Sequence, residues 1–155
     1  MCDYCGCSGV PAIAALMDEH ASLVDQAGHI RTALSAGDPE EAMFQLTGLV
    51  DHLNGHVTRE EEGIFRALRN TGEYVAEVDE LEGEHRDLGA AIADLDSGSA
   101  DFAGKVTRLL DDLDVHVQRE ELGIFPVSVV TLGAAGWTLV EEAHTKTPSF
   151  LLDPA

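Results

Sequence analysis

Asp51–Phe65 reads DHLNGHVTREEEGIF and Asp111–Phe125 reads DDLDVHVQREELGIF. A shift of 60 residues aligns the two with D, L, H, V, R, E, E, G, I and F in common, ten of fifteen positions, so the chain carries a duplicated element. A weaker echo precedes each copy: Leu16–Leu23 (LMDEHASL) and Leu81–Leu88 (LEGEHRDL) share L, EH and L. The repeating unit is therefore a pair of segments, and two units make four.

Each segment carries an apolar seam with steps of three and four residues, the spacing of a helix packed in a bundle. The seams run Ile13, Leu16, His20, Leu23, Ala27, Ile30, Leu34; then Leu46, Leu49, Leu53, His56, Glu60, Gly63, Ala67. The third is Tyr74, Val78, Leu81, His85, Leu88, Ile92, Leu95, and the fourth Phe102, Val106, Leu109, Leu113, His116, Glu120, Gly123. Gly37 ends the first helix, Asp38 caps the second with Pro39 at its first position, and Glu40 and Glu41 sit at the positive end of its dipole. Asn70-Thr71-Gly72 and Asp96-Ser97-Gly98-Ser99 mark the other two turns. Links this short join antiparallel neighbours, which predicts an all-α, up-down-up-down four-helix bundle with an internal two-fold repeat. Expected divisions are an arm at 1–10, the bundle at 11–130 and a C-terminal helix and tail at 131–155. Pro126 should kink or stop the fourth helix. A short helix is expected around Trp137–His144, with Phe150, Leu151 and Leu152 against the bundle.

Four histidines and two glutamates interrupt otherwise apolar seams: His20, His56, Glu60, His85, His116 and Glu120. A buried carboxylate without a partner costs several kcal/mol, so something positive must sit between them. His56 and Glu60 are one turn apart, about 6 Å of rise and roughly 40° of rotation, and His116 and Glu120 repeat the arrangement. Counting from the turns puts His20 level with His56 and Glu60 level with His85, within a turn, in the first two hairpins. In the last, His85 stands twelve before Ser97 and His116 seventeen after Ser99, so either the fourth helix begins late, near Gly104, or the register differs there. A lone core histidine signals only a satisfied polar contact. Six such residues on related seams point to iron, manganese or zinc at two adjacent positions.

The rest of the sequence narrows the classes. Its 155 residues suit one domain, and 45% apolar with 25% charged residues is a globular balance. A formal charge of −20 argues against nucleic acid and anionic membranes as partners. No apolar run is long enough to span a bilayer, and Val10–Leu16 lacks the basic flank of a secretory signal, so a cytoplasmic location is expected. Oligomeric state cannot be read from the chain.

The order His20, His56–Glu60, His85, His116–Glu120 resembles the hemerythrin-like (HHE cation-binding) domain across residues 11–130. The resemblance implies a non-haem di-iron centre, two iron ions with the four histidines as terminal ligands and Glu60 and Glu120 as bridges. Oxygen-carrying hemerythrins place an HxxxH pair on the third helix, whereas Leu81 and Gly89 stand four residues either side of His85, and they have an aspartate bridge where Glu120 stands. One fewer histidine leaves more positions for an added ligand. The implied function is binding of, or reaction with, O2 or H2O2, with catalase-like or peroxidase-like turnover. The alternative is a non-enzymatic iron, oxygen or nitric-oxide sensor.

His52, one turn before His56, can reach the site, but its repeat partner is Asp112, so it is expected to support a ligand or lie at the surface. His29 is expected in solvent. Gly63 and Gly123 either leave room for a small ligand or allow close helix packing. Ile64-Phe65 and Ile124-Phe125 should form an apolar wall. Arg59, Glu61, Arg119 and Glu121 recur in both copies and read as a solvated charged face. Cys2, Cys5 and Cys7 form a CxxCxC set, one ligand short of a closed zinc site and able to cycle between dithiol and disulfide. They are candidates for a redox role or a second metal or haem site, or belong to a mobile arm.

Overall fold

The computed structural model describes residues 9–152, all helix and links. Helix α1 (Pro11–Ser35) starts on a proline, whose missing N–H would have no intrahelical partner there, and ends at Gly37 with φ +71°. Helix α2 (Pro39–Glu60) follows at once, its first turn closed by Asp38, whose side chain accepts from the Glu41 amide at 3.0 Å. A π-helical segment, Glu61–Phe65, carries the rod into α3 (Arg66–Thr71), which Gly72 terminates at φ +79°. Helix α4 (Val75–Ala93) returns, and α5 (Phe102–Arg119), a second π-helical segment (Glu120–Ile124) and α6 (Phe125–Thr131) form the fourth rod.

Pro126 does not stop that rod. It sits in the first turn of α6, directly after the π-segment, and the helix runs on to Thr131. The uneven last hairpin also has a cause. Helix α5 begins at Phe102, not near Gly104, and α4 ends at Ala93, well before Ser97. His85 is thus eight residues from its helix end and His116 fourteen from its start; the link 94–101 takes up the difference, about 9 Å at 1.5 Å per residue.

Two apolar clusters fill the bundle. One gathers Leu23, Ile30, Leu46, Leu53, Leu88, Phe102, Leu110 and Leu113, the other Ile13, Leu16, Ile64, Phe65, Leu68, Val78, Leu81 and Phe125. Burying each such side chain contributes about 1.5–3 kcal/mol. His20, His56, His85 and His116 each fall in sequence between a member of one cluster and a member of the other. The polar layer is therefore capped by hydrocarbon at both ends.

Helix α7 (Ala134–Lys146) is longer than expected and packs on the first π-segment and on α3. Of the tail, Phe150 packs against the first cluster, whereas Leu151 and Leu152 are 46% and 76% exposed, contrary to expectation. They follow in a single 3-10 turn, Phe150–Leu152, which lets one of three consecutive side chains face the bundle.

Candidate metal centre

The seam positions of α1, α2, α4 and α5 aim their polar side chains at one volume. Ligand atoms of His20, His56, Glu60 and Glu120 lie within 4.8 Å of one another, and so do those of Glu60, His85, His116 and Glu120. Both glutamates belong to both groups. Glu60 Oε1 is 2.8 Å from His56 Nε2 and 3.3 Å from His20 Nε2, while its Oε2 is 3.2 Å from His85 Nε2. Glu120 Oε1 is 3.0 Å from His116 Nε2 and 3.2 Å from His20 Nε2. Both glutamates are fully buried, and each histidine is at most 8% exposed.

What lies behind each imidazole sets its tautomer. The Nδ1 atoms of His20, His56, His85 and His116 sit 3.1, 3.0, 2.8 and 3.1 Å from carboxylate oxygens of Glu121, Glu19, Glu61 and Glu84. A carboxylate accepts, so in the neutral ring Nδ1–H donates outward and the Nε2 lone pair points inward. Inside, acceptors then face acceptors: His85 Nε2 and His116 Nε2 are 2.9 Å apart, and no donor among the described residues satisfies His20 Nε2, His56 Nε2 or either oxygen of Glu60 and Glu120. Buried atoms of this kind need a partner, and a cation serves all of them at once. The residues present therefore fit a metal.

Charge agrees. Six carboxylates touch the histidines, and two guanidiniums, Arg59 and Arg119, touch those carboxylates, leaving the charge that two divalent cations would neutralise. Without metal, protons take that role. Burial works against a charged imidazole, yet Glu120, Glu121 and Glu60 hold His20 well above its ordinary value, and hydrogen bonds to Glu60 and Glu61 bring His85 up to about 10. His56 and His116 are raised against burial by Glu60 with Glu19 and by Glu120 respectively. Burial likewise opposes charge on Glu60, but His56, His20 and His85 hold it well below the carboxylate range.

The profile of the Hemerythrin HHE cation binding domain family matches residues 12–128. The chain belongs to that family. No curated protein and no solved structure shows a match to it. Within this hemerythrin-family bundle, the sequence reading of a solvated charged face is overturned at residues 59, 61 and 121, while Arg119 stays exposed as expected. Glu61 and Glu121 accept from His85 and His20, and Arg59 is 3% exposed, its Nε donating to Glu19 at 3.1 Å. A π-turn subtends less angle per residue than the 100° of an α-helix, so consecutive residues Glu60 and Glu61 both reach His85, one on each ring nitrogen. Glu19 and Glu84 were missed, although each is the E of the echoed EH pair.

His52 does not join the cluster: its Nδ1 is 3.1 Å from Gln26 Oε1 and its ring stacks on Phe150 at 4.4 Å. His29 is exposed beside Asp25. Gly63 faces Ala143 and His144 of α7, which a Cβ there would touch at an ordinary contact distance of 3.5 and 3.6 Å, whereas one at Gly123 would meet nothing among the described residues. Phe65 and Phe125 form walls, stacked on His85 and His20 with centroids 5.7 and 5.5 Å apart. Leu81 is buried and Gly89 exposed. Cys2, Cys5 and Cys7 lie outside the described residues. No described helix is long and apolar enough to cross a membrane. A groove of about 1090 Å3 between α1, α7 and the tail has Arg59 and His144 in its lining but none of the six clustered residues.

Proposed function

We propose that the cluster holds two iron ions, with His20, His56, His85, His116, Glu60 and Glu120 as the residues that would hold them, and that the protein binds O2 or H2O2 and turns over H2O2. The observation that carries this is the inward convergence of acceptor atoms without donors, backed by a carboxylate behind every imidazole. Both glutamates being common to the two candidate groups supports two adjacent cations, which Glu60 and Glu120 would help to hold at either position. When bound, such a pair supplies two electrons, one per ion, and takes them back.

The chain's own residues do the remainder. The outer glutamates fix each ring so that Nε2 faces the centre without rearrangement. Phe65 and Phe125, buried and stacked on His85 and His20, place hydrocarbon beside these two rings and keep water from them. With Leu81 buried and apolar and Gly89 exposed, no side chain four residues from His85 adds a ligand, which leaves room for a small exogenous one.

The test is oxygen release from hydrogen peroxide, measured with an electrode on iron-loaded protein freed of loose iron and catalase. Repeated turnover is expected, balanced as two peroxide molecules giving two water and one dioxygen, and lost in His85→Ala and Glu120→Ala. Less than one equivalent of oxygen per iron pair, or unchanged rates in both variants, would contradict the catalytic reading.

A further inference from the structure

The two candidate metal positions share their inner geometry but not their backing. Behind His56, Glu19 is fully buried and Arg59 nearly so. The Arg59 guanidinium bonds Glu19 and also donates from Nη1 to the carbonyls of His144 and Thr147, at 3.1 and 2.9 Å, at the C-terminal end of α7. Ala143 and His144 of the same helix close over Gly63. Behind His116 the equivalent residues are Glu84 and Arg119, with side chains 24% and 45% exposed. Arg119 reaches out to Glu80, and nothing covers Gly123 among the described residues. A surface groove of about 340 Å3, lined by Glu84, Asp87, Asp112 and Arg119 among others, runs up to His116. The second histidines differ less: Glu121 behind His20 is 24% exposed, as Glu84 is, and a groove of about 260 Å3 reaches His20, while Glu61 behind His85 is 37% exposed, so the contrast rests on the Glu19–Arg59 pair behind His56.

We infer that the two metal positions are unequal, one locked at His20 and His56 and one exchangeable at His85 and His116, and that Arg59 is the positioning residue through which α7 locks the first. The inference rests on the proposed metal pair. A metal leaves when its ligands swing away or water and chelator reach it. An imidazole held by a buried carboxylate, itself held by a buried guanidinium tied to two helix-end carbonyls, has few ways to move. One held by a carboxylate at the surface shares its partner with water and takes part in local opening. Removing such an outer partner typically costs about 10–100-fold in metal affinity, so a difference in how firmly it is held reads out on the same scale.

Full-length protein loaded with iron(II) under argon is mixed with excess ferrozine and iron loss followed by absorbance. Two phases of equal amplitude are expected, about tenfold or more apart in rate. His116→Ala should keep one iron that leaves slowly, and His56→Ala one that leaves fast. Arg59→Gln should bring the slow phase up to the fast one; Arg59→Lys, which keeps the charge but cannot reach both carbonyls, should fall between; Arg119→Gln should leave the slow phase alone. If Arg59→Gln loses helicity, the two histidine variants decide. A single phase in the unaltered protein, or equal rates from His116→Ala and His56→Ala, overturns the inference while leaving the metal pair standing. No iron uptake at all overturns both.

Discussion

The two copies, 51–65 and 111–125, are alike toward the centre of the bundle and unlike toward solvent. Inward, His56 and Glu60 match His116 and Glu120 in burial, in the one-turn His–Glu contact and in the π-turn that begins at or just after the glutamate. Outward, the first copy lies beneath α7, whereas nothing among the described residues comes within 4 Å of a side chain placed at Gly123 in the second. The inner face is held by a shared chemical demand, that buried imidazole nitrogens and carboxylate oxygens without donors need a positive partner. The outer face answers to whatever the rest of the chain lays on it, and the repeat has only one C-terminal helix to offer. Side chains identical in sequence, Arg59 and Arg119, thus take on different surroundings.

The hardest blow to this comparison falls on its symmetric side. Glu60→Ala and Glu120→Ala should each abolish loading of the pair, because both carboxylates belong to both groups of ligands. Elemental analysis that found one variant empty and the other filled would break the equivalence. On the asymmetric side, Glu19→Ala strands a buried guanidinium and should destabilise the fold by about 3–5 kcal/mol. Glu84→Ala frees a half-exposed one and should cost about 1 kcal/mol or less. Urea unfolding of the two variants measures the contrast, and equal losses would remove it.

A pH series sharpens it further. Burial and the Arg59 guanidinium hold His144 down to about 4, against 6.5 in the unfolded chain. The unfolded chain therefore takes up this proton first, so the stability linked to His144 is complete above about 6.5 and is lost as pH falls from there toward 4. In metal-free protein His85 works the other way. Raised to about 10, it contributes fully below 6.5 and loses that contribution as pH rises through 10. His144→Gln should flatten the acid limb of a stability profile and leave the alkaline limb unchanged; a steeper acid limb would reverse the assignment.

The smallest effects belong to residues outside both faces of the comparison. His52→Ala loses its stack on Phe150, about 0.5–1.5 kcal/mol, with iron content unchanged. Serine at all three of Cys2, Cys5 and Cys7 should alter neither iron content nor helicity, since they precede the first seam residue. Loss of iron from either variant would add a ligand that the cluster does not contain.

The seams, the turn residues and the six inward side chains are legible in the sequence because periodicity reports burial, and a polar residue on a buried seam is conspicuous. The outer carboxylates are harder to see, since Glu61 one residue after Glu60 belongs on a different face of an ideal α-helix. Only the π-turn brings it round to His85, and no simple spacing rule announces a π-turn. The available signal lies in the recurring EE pairs, which read as surface charge, and in the E of each echoed EH pair, which reads only as part of the repeat. Arg59 was illegible for another reason. Its burial depends on α7, whose docking is a tertiary fact, and its repeat partner Arg119 does look as an exposed arginine should.

Iron content decides whether the converging acceptors hold a metal pair. Protein reconstituted with iron(II), oxidised and desalted should carry about two iron atoms per chain and absorb in the near-ultraviolet as an oxo-bridged ferric pair does. Elemental analysis that finds no bound iron in folded protein would contradict the account.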